Sequence, residues 1–131
     1  MADDPDNTST PPLVGELLPH AAEAFGVRYK LETYSLDVTH KDGGPKARGF
    51  EQILGITIDA INYLEGAIYA GVLLVLVSGV IDNAPWGIKC IVLIPVHGLG
   101  EKSGRIVDVR TVWQFDEPGS PPRLVSAYID S

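Results

Sequence analysis

The stretch Gly66–Ile81, GAIYAGVLLVLVSGVI, decides the fold. It carries no charge, so it reads first as a membrane span. A span needs about 20 apolar residues, and this run is shorter, holds three glycines and is followed at once by Asp82-Asn83. Two elements explain it better: the end of a helix, a break near Gly71, and a buried strand from Leu74 to Ile81. The change from helical to extended pattern therefore falls inside this run.

Working back from it, Ile61, Leu64 and Ile68 recur at helical spacing and predict a helix over about Ile58–Tyr69, with Thr57 as its N-cap. A second helix is predicted over Pro45–Leu54. Pro45 suits the first helical position, Ala47, Phe50 and Leu54 form the inward stripe, and Gly55 ends it. A short first helix spans about Val27–Ser35, with Leu31 and Tyr34 on one face. Pro19 interrupts Leu13–Phe25, which reads as an irregular arm laying apolar side chains on the body. Met1–Pro12 reads as a disordered acidic tail.

Working forward, Trp86–Val96, Arg105–Phe115 and Arg123–Asp130 read as strands. They are separated by the turn Asp82–Pro85, the glycine-rich loop His97–Gly104 and the turn Pro118–Pro122. The fold expected for residues 13–131 is a single α+β domain. Two to three N-terminal helices pack on one face of a four-stranded antiparallel meander.

Composition narrows the function classes. The 131 residues are 45% hydrophobic, enough for a core, and carry a net charge of −7. Asp3, Asp4 and Asp6 supply three of those charges, leaving −4 for the body. That counts against an extended basic interface for nucleic acid but not against a small phosphate site. The acidic start is unlike a signal peptide. The single cysteine, Cys90, excludes an internal disulfide and a cysteine zinc cage, and the expected location is cytoplasmic. No cofactor and no metal are expected, because His20 and His97 lack carboxylates at ligand spacing. No membrane association is expected, and the oligomeric state stays open.

Two groups of residues suggest chemistry. Alternation along the third strand puts Val107, Val109, Thr111, Trp113 and Phe115 on the core face and Arg110 on the other. On the fourth strand, Val125, Ala127 and Ile129 belong with the core, while Ser126 and Tyr128 point away. A guanidinium, a hydroxyl and a phenol on one rigid face suit an anionic group; an ordinary solvated polar cluster fits the same pattern. The second group is the loop THKDGGPKARGF, Thr39–Phe50. His40 suits proton transfer near neutrality. Lys46, at a helix start where the dipole disfavours a cation, suits a phosphate and aligns with Phe50 and Ile53. A plain helix connector with an exposed histidine and a snorkelling lysine also fits.

The order of motifs carries a resemblance. His40-x-x-Gly43-x-x-Lys46-Ala47-x-x-Phe50 is followed by Leu54-Gly55 and Pro85-Trp86-Gly87. Then come Arg110-Thr111-x-Trp113 and Pro122-Arg123-Leu124-Val125-x-Ala127-Tyr128. Together they resemble a bacterial family of unknown function over about Leu18–Asp130. Its layout is similar to the barnase–EndoU–colicin–RelE group of small, toxin-like ribonucleases, in which helices pack on a four-stranded sheet. That resemblance implies metal-independent RNA cleavage. It casts His40 as general acid or base, Lys46 and Arg110 as stabilisers of the phosphorane, and Ser126 and Tyr128 as phosphate-positioning groups. The acidic charge points to a different class, a non-catalytic interaction module, immunity- or antitoxin-like, that binds a basic protein. RNA and a protein are thus both expected partners, and whether the chain is an enzyme stays open.

Overall fold

The computed structural model describes residues 12–82 and 87–130. Helix α1, Val27–Lys30, widens into a π-helical turn over Leu31–Ser35, and α2, Gly44–Gly49, does the same over Phe50–Leu54. Helix α3, Ile61–Val72, is entered through a 3-10 turn at Ile58–Ala60. Four strands follow: β1 Gly79–Asp82, β2 Ile88–His97, β3 Ile106–Phe115 and β4 Arg123–Ile129. They form one sheet in the order β1-β2-β3-β4, every neighbouring pair antiparallel. The α+β meander with its helices in the N-terminal half is the architecture expected.

The core lies between the helices and one sheet face. Leu31, Phe50, Leu54, Leu64, Ile68 and Val72 are fully buried, as are Cys90, Val92, Val109, Trp113 and Ala127. Each large side chain so buried contributes about 1.5–3 kcal/mol. The Trp113 indole donates to Thr111 Oγ1 at 2.8 Å, and the Thr111 hydroxyl donates to the Val92 carbonyl at 2.7 Å. These buried polar atoms are therefore satisfied.

Helix α3 ends beside Gly71, where the break was expected. It runs to Val72 and closes with Leu74 N and Val75 N donating to the Gly71 carbonyl. The strand expected from Leu74 begins only at Gly79, because Leu73, Leu74 and Leu76 are exposed rather than core. Gly71 serves packing: a Cβ there would overlap the Ile94 side chain of β2. Val77 is held instead by the arm. Gly15 N donates to its carbonyl and its own N donates to Glu16 O, both at 2.8 Å.

Three smaller expectations also change. Thr57 stands at the expected position with extended backbone, but its side chain makes no capping hydrogen bond. Val125 does not take its expected core place. The β3–β4 register shifts, pairing Val112 with Ser126 and then Trp113 with Leu124. Val125 is the extra residue of this bulge, and Leu124 is buried in its stead. Third, Leu31 and Tyr34, expected on one face, differ in burial: Leu31 is fully buried and Tyr34 only half-buried.

The arm, irregular as expected, ends in a clasp. Phe25 forms a parallel bridge with Arg123, its N donating to the Pro122 carbonyl at 3.1 Å and its carbonyl accepting from Leu124 N at 3.0 Å. The glycine-rich loop is anchored too, Leu99 N donating to the Leu54 carbonyl at 2.7 Å. No helix of the described residues is long and apolar enough to cross a membrane. The tail expected over Met1–Pro12 lies, but for Pro12, outside the described residues, as do Trp86 and most of the Asp82–Pro85 turn.

Candidate functional site

Strand β4 is an edge of the sheet, and α2 packs beside it. This places the first turn of α2 next to Tyr128. The Lys46 ammonium lies 5.1 Å from the centre of the Tyr128 ring and 5.1 Å from that of Tyr34. Lys30, one helical turn before Tyr34 on the same chain segment, puts its ammonium 5.3 Å from the Tyr34 ring. The His40 imidazole meets Tyr34 edge-on, with ring centres 5.0 Å apart and planes at 81°. Of the sequence-derived residues, His40 and Lys46 thus meet Tyr34, and Lys46 links Tyr128 to them; the sequence reading placed Tyr34 only on one face with Leu31 and gave it no part in the site. Lys30 was missed as well. The available signal was its i, i+4 spacing to Tyr34, which stacks the two on one helix face.

The ammonium groups of Lys30 and Lys46 form no ion pair among the described residues. Both rest on aromatic faces, whose negative quadrupoles favour a cation while leaving its outer side open to an anion. Beneath Lys46 lies a cleft of about 270 Å³ lined by Pro45, Lys46, Gly49, Ile53, Tyr128 and Ile129. Drug-sized pockets start near ~300 Å³, so this cleft suits a small group, and apart from Lys46 and Tyr128 its lining is apolar.

His40 has a defined chemical state. Its Nδ1 accepts from the backbone amides of Asp42 and Gly43, both at 3.0 Å. A backbone N–H can only donate, so Nδ1 is the unprotonated nitrogen and Nε2 carries the hydrogen. The fold thus presents His40 as a hydrogen-bond donor through Nε2. Close approach holds the turn in place, because a Cβ on Gly43 would overlap the Tyr34 carbonyl oxygen. At the loop entrance, Asp37 Oδ1 accepts from the hydroxyl and the amide of Thr39 at 2.6 and 3.0 Å. These bonds hold its carboxyl below the usual value.

Arg110 and Ser126 stand differently. Arg110 lies opposite Tyr128 across the β3–β4 pair, on the sheet face away from the core, as expected. Its Nε and Nη2 both donate to Asp130 Oδ1, at 2.9 and 2.8 Å. That hydrogen bond pushes the guanidinium pKa further up. Arg110 therefore arrives at the site already paired with a carboxylate. Ser126 lies on the same face two residues before Tyr128, opposite Val112. Among the described residues no hydrogen bond joins its hydroxyl to the Lys46 cluster.

Charge is segregated along the chain in a way that favours this corner. Residues 1–27 and 49–88 contain nine acidic side chains and no Lys or Arg. Residues 28–48 and 89–131 contain all ten basic side chains and eight acidic ones. The acidic total of −7 therefore masks a slightly positive set of segments, and Lys30, Tyr34, His40, Lys46 and Tyr128 all belong to it.

A helical layer on an antiparallel meander, with a lysine, two tyrosines and a histidine at the sheet edge, defines a small α+β domain with a basic, aromatic corner. The chain belongs to the family described as a domain of unknown function, DUF6883, whose model matches residues 17–131. No curated protein and no solved structure matches it.

Proposed function

We propose that the corner around Lys46 binds a phosphate-bearing ligand and that RNA, cleaved without a metal, is its substrate class. The observation that carries this reading is the Lys46 ammonium, held between two tyrosine rings above a small cleft with no carboxylate partner among the described residues. A preorganised cation of this kind stabilises charge that develops on phosphoryl oxygens. In the reaction, the ribose 2′-oxygen attacks the adjacent phosphorus and the bond to the 5′-oxygen breaks. The products are a 2′,3′-cyclic phosphate and a 5′-hydroxyl. The 2′-hydroxyl proton goes to solvent, solvent protonates the leaving 5′-oxygen, and His40, with its hydrogen on Nε2, donates a hydrogen bond to a phosphoryl oxygen. Tyr128 supplies a wall and a hydroxyl. Arg110 supports the phosphate only by sharing its guanidinium with Asp130, and Ser126 extends the polar surface beyond it.

The test is total RNA incubated with the purified protein in EDTA, beside Lys46→Ala. Cleavage by wild type should fall about 10²–10³-fold in the variant. A titration with a ribonucleoside 3′-monophosphate, followed by backbone chemical shifts of residues 44–49, reads binding separately. Absence of cleavage with Lys46-dependent shifts would keep the anion site and remove the ribonuclease. Absence of both would remove the reading altogether.

A further inference from the structure

Away from the basic corner, the arm and the end of α3 meet at one backbone junction, where Gly15 N donates to Val77 O and Val77 N to Glu16 O. Within four residues of this junction stand Leu13, Val14, Leu17, Leu73, Leu74 and Leu76, each between 47% and 79% exposed. Isolated exposed leucines are ordinary, but a gathered set of this size marks a surface that another molecule covers. Neighbouring buried residues such as Leu18, Val72 and Val77 fasten the patch to the core, so it is built rather than frayed.

Charge selects the occupant. The patch lies entirely within the two chain stretches that hold no Lys or Arg, and Glu16 stands exposed inside it. Residues 1–11 cannot supply a matching apolar cover, since they carry three aspartates and no apolar side chain larger than Met1. A second copy would set like charges against each other, and an anionic lipid surface would be repelled in the same way. We infer that this patch docks a protein segment whose apolar face is flanked by lysine or arginine, an amphipathic basic helix being the simplest form. The surface is separate from the Lys46 corner, so it stands or falls independently of the ribonuclease reading.

The experiment uses the full chain and an 18-residue amphipathic leucine–lysine peptide, with leucine–glutamate and leucine–glutamine peptides of the same pattern beside it. Fluorescence anisotropy should show the lysine peptide binding at about 10 µM or tighter and the glutamate peptide not at all. Leu74→Ser with Leu76→Ser should weaken binding about tenfold or more. Leu13→Ser with Leu17→Ser should do the same from the other side of the junction, and Lys46→Ala should leave it unchanged. These side chains are exposed, so far-ultraviolet circular dichroism should match wild type. Four results would overturn the inference. One is equal binding of all three peptides. Another is lysine-peptide binding indifferent to both leucine pairs. The others are a dimer dissolved by the leucine substitutions, and partition of the chain into lipid vesicles.

Discussion

His40 spends one ring nitrogen on the turn in which it sits, and this separates its structural role from any chemical one. The two amides bonded to Nδ1 ask only for an acceptor two to three residues back. An asparagine oxygen meets that demand in the same geometry. His40→Asn is therefore expected to stay within about 0.5 kcal/mol of wild type, while His40→Ala leaves two amides without their partner and loses about 1–2 kcal/mol. Urea unfolding of the two variants decides it; equal midpoints would mean that the turn does not need the acceptor. The asparagine variant also removes the Nε2 hydrogen without disturbing the loop, so it is the cleaner probe of the hydrogen bond that Nε2 can donate. At this scale the sequence reading reached His40, Lys46 and Tyr128 through loop and strand position. It gave Tyr34 no role because the letters show only that it shares a helix face with Leu31; its place beside Lys46 depends on where α2 lies. The pairing of Arg110 with Asp130 was equally invisible, since it needs the strand-end geometry that brings Asp130 back over β3.

The helix α3 shows how one residue type can carry opposite meanings within one element. Gly66 has nothing within 4 Å of a would-be Cβ, while Gly71 would collide with Ile94. Gly66→Ala should then stabilise the protein by up to about 1 kcal/mol through helix propensity alone. Gly71→Ala gains the same propensity but forces α3 away from β2, and a net loss of about 1 kcal/mol or more is expected. Thermal unfolding of the pair measures both signs at once. The strand boundaries, read from alternation, fall within a few residues of those observed except for β1. There the apolar run Leu74–Ile81 reads as a buried strand, but Leu74 and Leu76 are exposed, against the pattern from which burial is inferred. The bulge at Val125 escaped for a related reason: alternation fixes a face only while the register is unbroken.

For the whole molecule, a single thiol reports on global integrity. Cys90 is fully buried on the core face of β2, and burial pushes its pKa up to about 11. Iodoacetamide at pH 8 should therefore alkylate the native protein about a thousandfold or more slowly than the urea-unfolded chain, following the population that opens. Mass spectrometry of the labelled chain over time gives the rate, and rapid native labelling would mean that β2 is more accessible than its packing shows. The layered architecture was legible as a whole because helical and extended patterns occupy separate halves of the chain. The division of charge between chain segments was present in the letters, but its bearing on the Lys46 corner appears only once the fold brings α2 beside β4.

The bridge between Phe25 and Arg123 has a kinetic consequence. The three hairpins of the meander each close over short connections and form early, whereas this bridge must join segments near opposite ends of the described chain. Its two backbone bonds form after the sheet exists and are absent from an early transition state, so they slow escape from the native state more than they hasten arrival. Unfastening them frees the arm without breaking any strand pairing within the sheet, which makes release of the arm the natural first step of unfolding and the clasp a determinant of native lifetime.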